Sequence, residues 1–210
     1  MKSQLECAPC ILKWVYERAG ILATGKGRFQ LVERISGILA REFHSGTNVG
    51  CLSNKITDSV NDYLLKSADY YGGIKLRSNQ LVHKLLPVAR KYIEKGRNPR
   101  ERFKRAFRLA SASNVAPMSV PGEAFRFREV INIFRGKNPL PTFIGDVFET
   151  ARRASHILYL TDNAGEIGFD SLLITKLKEM GPKVNLVAKE DPFFEDATMK
   201  DALFFSMDKL

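Results

Sequence analysis

His156-Ile-Leu-Tyr-Leu-Thr-Asp-Asn-Ala-Gly-Glu-Ile-Gly-Phe-Asp170 decides the fold, because an apolar strand there gives way to a helix through a turn rich in carboxylates. The run His156–Leu160 is aromatic and branched and ends in polar residues, which predicts a buried strand. Asp162 and Asn163 fall at its carboxyl end. Gly165 permits a close turn, and Ile167, Leu172, Leu173 and Leu177, with Phe169 beside them, mark a helix packed on a sheet. Ligands of open α/β sheets bind in the crevice at the strand carboxyl ends. A helix starting here aims unpaired N–H groups and its positive dipole end at that crevice, an arrangement suited to phosphate. Glu166 and Asp170 are four residues apart and share one helix face. A plainer reading also stands, in which Asp162 or Asn163 only caps the helix and Glu166 and Asp170 face solvent.

One strand later a second acidic cluster follows. Lys183-Val-Asn-Leu-Val-Ala188 alternates and then runs apolar, so strand, helix and strand form one βαβ unit with parallel strands. Its exit is Lys189-Glu-Asp-Pro-Phe-Phe-Glu-Asp-Ala-Thr-Met-Lys-Asp201. Parallel neighbours finish at the same edge, which brings Asp191, Glu195 or Asp196 toward Asp162. Oxygen ligands from two adjacent strand ends suit a hard divalent ion that keeps several waters. Taken alone, the second cluster also reads as a solvated acidic turn.

Asp162-Asn-Ala-Gly-Glu166 with Phe169-Asp170, then Lys189 and Pro192, then Asp196-Ala-Thr-Met-Lys-Asp201, resemble the two signature segments of the metal-dependent damage-control phosphatases, once known as domain of unknown function 89. Cys7-Ala-Pro-Cys10 resembles the paired cysteines of that family's mainly archaeal and bacterial branch. The resemblance runs in order from Cys7 to Asp201. It implies an α/β fold: a helical amino-terminal region followed by a Rossmann-like α/β/α domain. It also implies a divalent ion (manganese, cobalt, nickel or magnesium) held by Asp162, Asn163 and Asp196, and hydrolysis of small phosphorylated metabolites such as sugar phosphates. Two departures stand out. Glu195 occupies a position where the family usually has Asn, and the family's further strand and helix units, with their Gly/Asn-rich loop and phosphate-binding lysine, are not seen before Leu210. The C-terminal part of the sheet is therefore expected to be missing, and Phe204–Leu210 is expected to be a tail outside the family pattern.

Composition fits one or two soluble domains. With 210 residues, 44% of them hydrophobic, there is material for a substantial core. Neither a signal peptide nor an apolar run long enough to span a membrane is visible, so no membrane partner and a cytoplasmic address are expected. Net charge is +10, unevenly placed: residues 1–140 hold 25 Lys/Arg against 11 Asp/Glu, and residues 141–210 hold 8 against 12. A basic region beside an acidic cation site would gather phosphorylated anions. It would also serve nucleic acid, although no zinc-finger, helix-turn-helix or RNA-recognition signature accompanies it.

The basic region reads as helices. One begins at Cys10–Tyr16; Phe29, Val32, Ile35, Ile38, Leu39 and Phe43 trace a second. Ile56, Val60, Tyr63 and Leu64 mark a third, and Leu81, Leu85, Leu86, Val88 and Ile93 a fourth, with Pro87 at a bend or a start. After the Gly96–Pro99 break, Phe103, Ala106, Phe107 and Ala110 form the inner face of a fifth, its arginines and lysines on the solvated faces. Further helices are expected over 122–134 and 143–154. The Gly- and Pro-rich 136–141 segment sets the boundary between a mainly helical region, 1–138, and a partial Rossmann-like metal-binding domain, 139–210.

Three assignments complete the site. Gly165, Lys189 and Asn114 are candidates to meet the substrate phosphate; Asn114 resembles a family asparagine near the metal pocket. Glu166 and Asp170 are candidates to align the attacking water. Cys7 and Cys10 offer half of a tetrahedral zinc site, completed only if the fold brings in Cys51 and His44; a disulfide, buried thiols or redox chemistry are the other readings. His44, His83 and His156 are scattered and read as structural. The reaction expected is metal-assisted phosphomonoester hydrolysis, with a Rossmann-type methyltransferase, a nucleic-acid-binding helical protein and a truncated inactive form as alternatives.

Overall fold

A computed structural model describes residues 2–18, 23, 25–64, 69–114, 127–137, 146–192 and 195–210. The described residues fall into two compact units that divide between Tyr70 and Tyr71. The reason lies in the middle helices, which pack on the α/β elements and so belong with them. Residues 138–145, and with them most of the Gly/Pro break and the start of the helix expected over 143–154, lie outside the described residues, as do 115–126, where the helix expected over 122–134 begins.

In the first unit, α1 (Cys7–Arg18), α2 (Lys26–Glu42) and α3 (Val49–Leu64) pack on one another. The buried stripe of α2 is Leu31, Ile35, Ile38 and Leu39, and Phe29, expected on it, is 81% exposed. Two residues before Leu31, at about 100° per residue, Phe29 falls on the opposite side of the helix. The Tyr63 hydroxyl reaches Gly27 O at 3.1 Å and Gln30 Oε1 at 3.0 Å, fastening α3 to the start of α2.

The second unit contains α4 (Asp69–Glu94, counted from Tyr71), α5 (Pro99–Ser113), α6 (Arg128–Phe134), α7 (Val147–Arg153), β1 (His156–Leu160), α8 (Glu166–Glu179), β2 (Lys183–Val187), α9 (Met199–Phe204) and a 3-10 turn, Met207–Lys209. α4 runs through Pro87 without stopping. α5 starts where the Asn98 side chain accepts the Glu101 N–H at 2.9 Å, with Pro99 in the first turn, an arrangement that satisfies one of the orphan donors of a helix start. α5 lies along α8. Phe103, Ala106, Leu109 and Ala110 form its buried face, with Leu109 in the place given to Phe107. Three of its arginines are engaged at the surface: Arg100 with Asp146 and Glu149, Arg102 with Glu94, and Arg105 over the Tyr92 ring.

The two strands pair in parallel, Leu158 opposite Asn185 and Leu160 opposite Val187, so the βαβ unit has the predicted topology. The fold is α/β, with a small parallel sheet in a mainly helical chain. One sheet face, carrying Tyr159, Val184 and Leu186, packs against Ile167, Ile174, Ala197, Ala202 and Met207. The strand was expected to be buried throughout, yet Leu158 is 65% and Leu160 67% exposed. With a period of two, those residues point away from α8, the helix that covers the other face. Met207 joins the core, so the segment after Phe204 is packed structure rather than a loose tail. Among the described residues no helix is long and apolar enough to cross a membrane.

Candidate active site

The two acidic loops converge through the backbone. Ala197 N–H donates to Asp162 O at 2.6 Å, Ala164 N–H donates to Glu195 O at 2.8 Å, and Asn163 and Asp196 form an antiparallel bridge. β1 and β2 end side by side, and the Thr161 N–H donating to Val187 O at 3.0 Å closes the sheet just before this bridge. Asp162 is exposed, Asp196 half-buried and Asn163 buried, so the three line a border between interior and solvent. Burial first, and then the charges of Asp162 and Glu195, push the Asp196 carboxyl up to about 6, against the pull of Lys189. Lys189 Nζ lies 3.6 Å from Asp196 Oδ2. Asp191 is exposed.

Amide groups orient the carboxylates. Asn114, the C-cap of α5, donates its Nδ2 to Asp162 Oδ2 at 2.8 Å and to Glu166 Oε1 at 3.1 Å. Asn163 Nδ2 donates to Glu166 Oε2 at 2.9 Å, which leaves the Asn163 carbonyl oxygen as the atom to meet a cation. Burial raises the Glu166 carboxyl above its ordinary range, and the amide donors partly offset it. Asp170 is 3% exposed and accepts from the Tyr159 hydroxyl at 2.8 Å. Burial, then the charge of Glu166, raises its carboxyl well above the usual carboxylate range. Burial, then the charge of Asp170, likewise raises the Tyr159 phenol.

These bonds correct several sequence expectations. Neither Glu166 nor Asp170 faces solvent, and the N-cap of α8 is Gly165, with no side-chain cap from Asp162 or Asn163. Asp170 is turned inward to Tyr159. Glu166 accepts from both Asn114 and Asn163. The Gly165 N–H, expected to face a phosphate, donates to Asn79 Oδ1 at 2.6 Å. Further along, the N–H groups of Ile167 and Gly168 close turns onto Asn163 O and Gly165 O. Phe193 and Phe194, between the two halves of the second loop, lie outside the described residues.

Among the described residues no three His, Cys, Asp or Glu side chains form a group able to hold a metal. At the loops the donor set is instead two carboxylates and an amide oxygen, hard donors that fit an oxygen-loving divalent ion retaining several waters. The Asp196 carboxyl is raised chiefly by its burial, with smaller contributions from the charges of Asp162 and Glu195. Cys7, Cys10 and Cys51 are free thiols; Cys7 is half-buried and the other two are exposed, so neither a disulfide nor a buried pair forms. Cys51 and His44 do not complete a zinc set with them.

Sequence reasoning missed Lys75, Asn79 and the part played by Asp201. The signal was present: carried back from Val82 at helical spacing, the buried stripe of α4 meets Ser78, Asn79 and Lys75, polar residues at core positions.

The family model for the damage-control phosphatase ARMT1-like domain matches residues 3–209, and so takes in the segment after Phe204 that was expected to fall outside the pattern. Over its whole length the chain is 30% identical to a protein of Archaeoglobus fulgidus named "Damage-control phosphatase", covering 72% of it. It is 27% identical to a damage-control phosphatase of Pyrococcus horikoshii, covering 71% of that protein. The crystal structure of that Pyrococcus protein, described as a DUF89 family member, superposes with a TM-score of 0.79 over 100% of this chain and 72% of that one. Fold, loop geometry and relatives agree: the chain belongs to the ARMT1-like damage-control phosphatase family, and its relatives support a phosphatase role.

Proposed function

We propose that this chain hydrolyses small phosphorylated metabolites, sugar phosphates above all, with the help of a divalent cation held by Asp162, Asn163 and Asp196. The observation that carries the reading is the antiparallel bridge between Asn163 and Asp196, which sets donors from two strand ends against each other at one edge. When bound, a divalent ion supplies positive charge to phosphoryl oxygens and makes a water more acidic. The protein's own part is positioning. Asn114 holds Asp162, and Glu166 holds Asn114 and Asn163, so both loop side chains are fixed before substrate arrives. Lys189, half-exposed beside Asp196, presents an ammonium where the oxygens of a phosphate ester would gather negative charge. Phosphoryl transfer depends chiefly on such placement and charge neutralisation.

The test is release of phosphate from p-nitrophenyl phosphate and fructose 1-phosphate with manganese, cobalt, nickel or magnesium, repeated with Asp162→Asn and Asp196→Asn. The expected result is metal-stimulated turnover that falls by about two orders of magnitude or more in either variant. Turnover that needs no metal, or that both variants retain, would overturn the assignment.

A further inference from the structure

α4 buries a polar group where its neighbours bury apolar ones. Ile74, Val82, Leu86, Ala89 and Ile93 make an apolar stripe, and Lys75, Ser78 and Asn79 are set into it, all buried. Asn79 uses both ends of its amide: Oδ1 accepts the Gly165 N–H at 2.6 Å, and Nδ2 donates to Asp201 Oδ1 at 2.8 Å. The other Asp201 oxygen takes Lys75 Nζ at 2.8 Å and both the N–H and hydroxyl of Thr198 at 2.8 Å.

The positions of these contacts matter more than their number. Gly165 stands two residues after Asn163, and Thr198 two residues after Asp196. A single side chain on α4 therefore ties together, directly on one side and through Asp201 on the other, the two loops that carry the candidate cation donors. Thr198 also bridges to the backbone at Lys189, so the clamp reaches the candidate phosphate-binding lysine as well. An apolar residue at position 79 would close the helix face as Val82 does, and buried ionic groups are weak devices for stability alone. What the polar group adds is a fixed separation between the loops.

We infer that Asn79, braced by Asp201 and Lys75, is a positioning residue that sets the spacing of the Asp162–Asn163 and Asp196 loops for cation binding. This rests on the proposed reading of those three residues as cation donors, and the experiment separates the two. Mn²⁺ alone is titrated into the full chain, with free Mn²⁺ followed by electron paramagnetic resonance and folding by circular dichroism. Asn79→Ala is expected to remain folded and to bind Mn²⁺ about 10-fold to 100-fold more weakly, the usual range when a residue orienting metal ligands is lost. Ile93→Ala, a buried change further along the same helix, is the control: it lowers the melting temperature and leaves Mn²⁺ affinity unchanged. The exchange Asn79→Asp with Asp201→Asn returns one amide and one carboxylate to the cluster and recovers most of the affinity.

Folded Asn79→Ala that binds Mn²⁺ like the wild type, while Asp162→Asn does not bind it, overturns the positioning role and leaves the phosphatase reading standing. Wild-type protein that binds no Mn²⁺ overturns both. If Asn79→Ala does not fold, the exchanged pair decides: folded with near wild-type affinity supports the role, folded with weak affinity overturns it.

Discussion

Gly165 shows how closely single residues are constrained here. Its φ of 78° and ψ of −58° lie where L residues are strained, and a side-chain carbon there would come within 3.0 Å of Phe127 Cζ and Ser78 Cβ. Gly165→Ala should therefore lower stability by about 1–3 kcal/mol, measured by urea denaturation. An unchanged midpoint would show that the turn relaxes and that its tight geometry is not required. The need for glycine was legible in the sequence, since it falls between a strand end and a helix start. Its hydrogen-bond partner was not, because Asn79 is 86 residues away and no local pattern links them. The inward turn of Asp170 was equally hidden: a carboxylate at helical spacing from Glu166 looks the same whether Tyr159 or water lies beyond it.

At the scale of elements, the start of α9 is held by charge as well as by shape. Thr198 and Asp201 form a capping box, and Asp201 also meets Lys75 and Asn79. Burial by itself would raise the Asp201 carboxyl, but Lys75, the Thr198 N–H and Asn79 outweigh it and hold it below its ordinary 3.8. A depressed carboxyl contributes stability that is complete above the unfolded value and disappears as pH falls through the folded one. Asp201→Asn should thus be less stable than the wild type by about 3 kcal/mol near neutrality, since it strands a buried lysine. That gap should stay level while pH remains above 3.8 and shrink below it, read from urea unfolding of both proteins in parallel. A gap independent of pH would mean that Asp201 acts through shape alone.

Elements were the best-read level of the sequence. β1 has the predicted bounds, β2 ends one residue earlier, and the five amino-terminal helices all form. Periodicity carried those assignments, and it erred where only phase was at stake, as with Phe29 on α2. Burial of β1 was misjudged for a different reason: an apolar run records what a strand can bury, while the number of layers that cover it is a property of the whole fold.

Across the whole molecule, the basic helices and the acidic loops are one argument about charge. The chain carries a net +10, and two arginines of α5 are already matched by Asp146, Glu149 and Glu94. A net positive chain favours anions in long-range encounter. The convergence of the two acidic loops could be anticipated because parallel neighbours end at one edge; the clamp beneath them could not, because it joins α4 to α9 across more than half the chain.

The central claim is that Asp162, Asn163 and Asp196 form one cation-holding notch. Crystals soaked in Mn²⁺ and measured at the manganese absorption edge test it most directly. The account predicts an anomalous peak within bonding distance of the Asp162 and Asp196 carboxylates and the Asn163 amide oxygen. A manganese peak elsewhere, with these side chains facing apart and no ion between them, would contradict it.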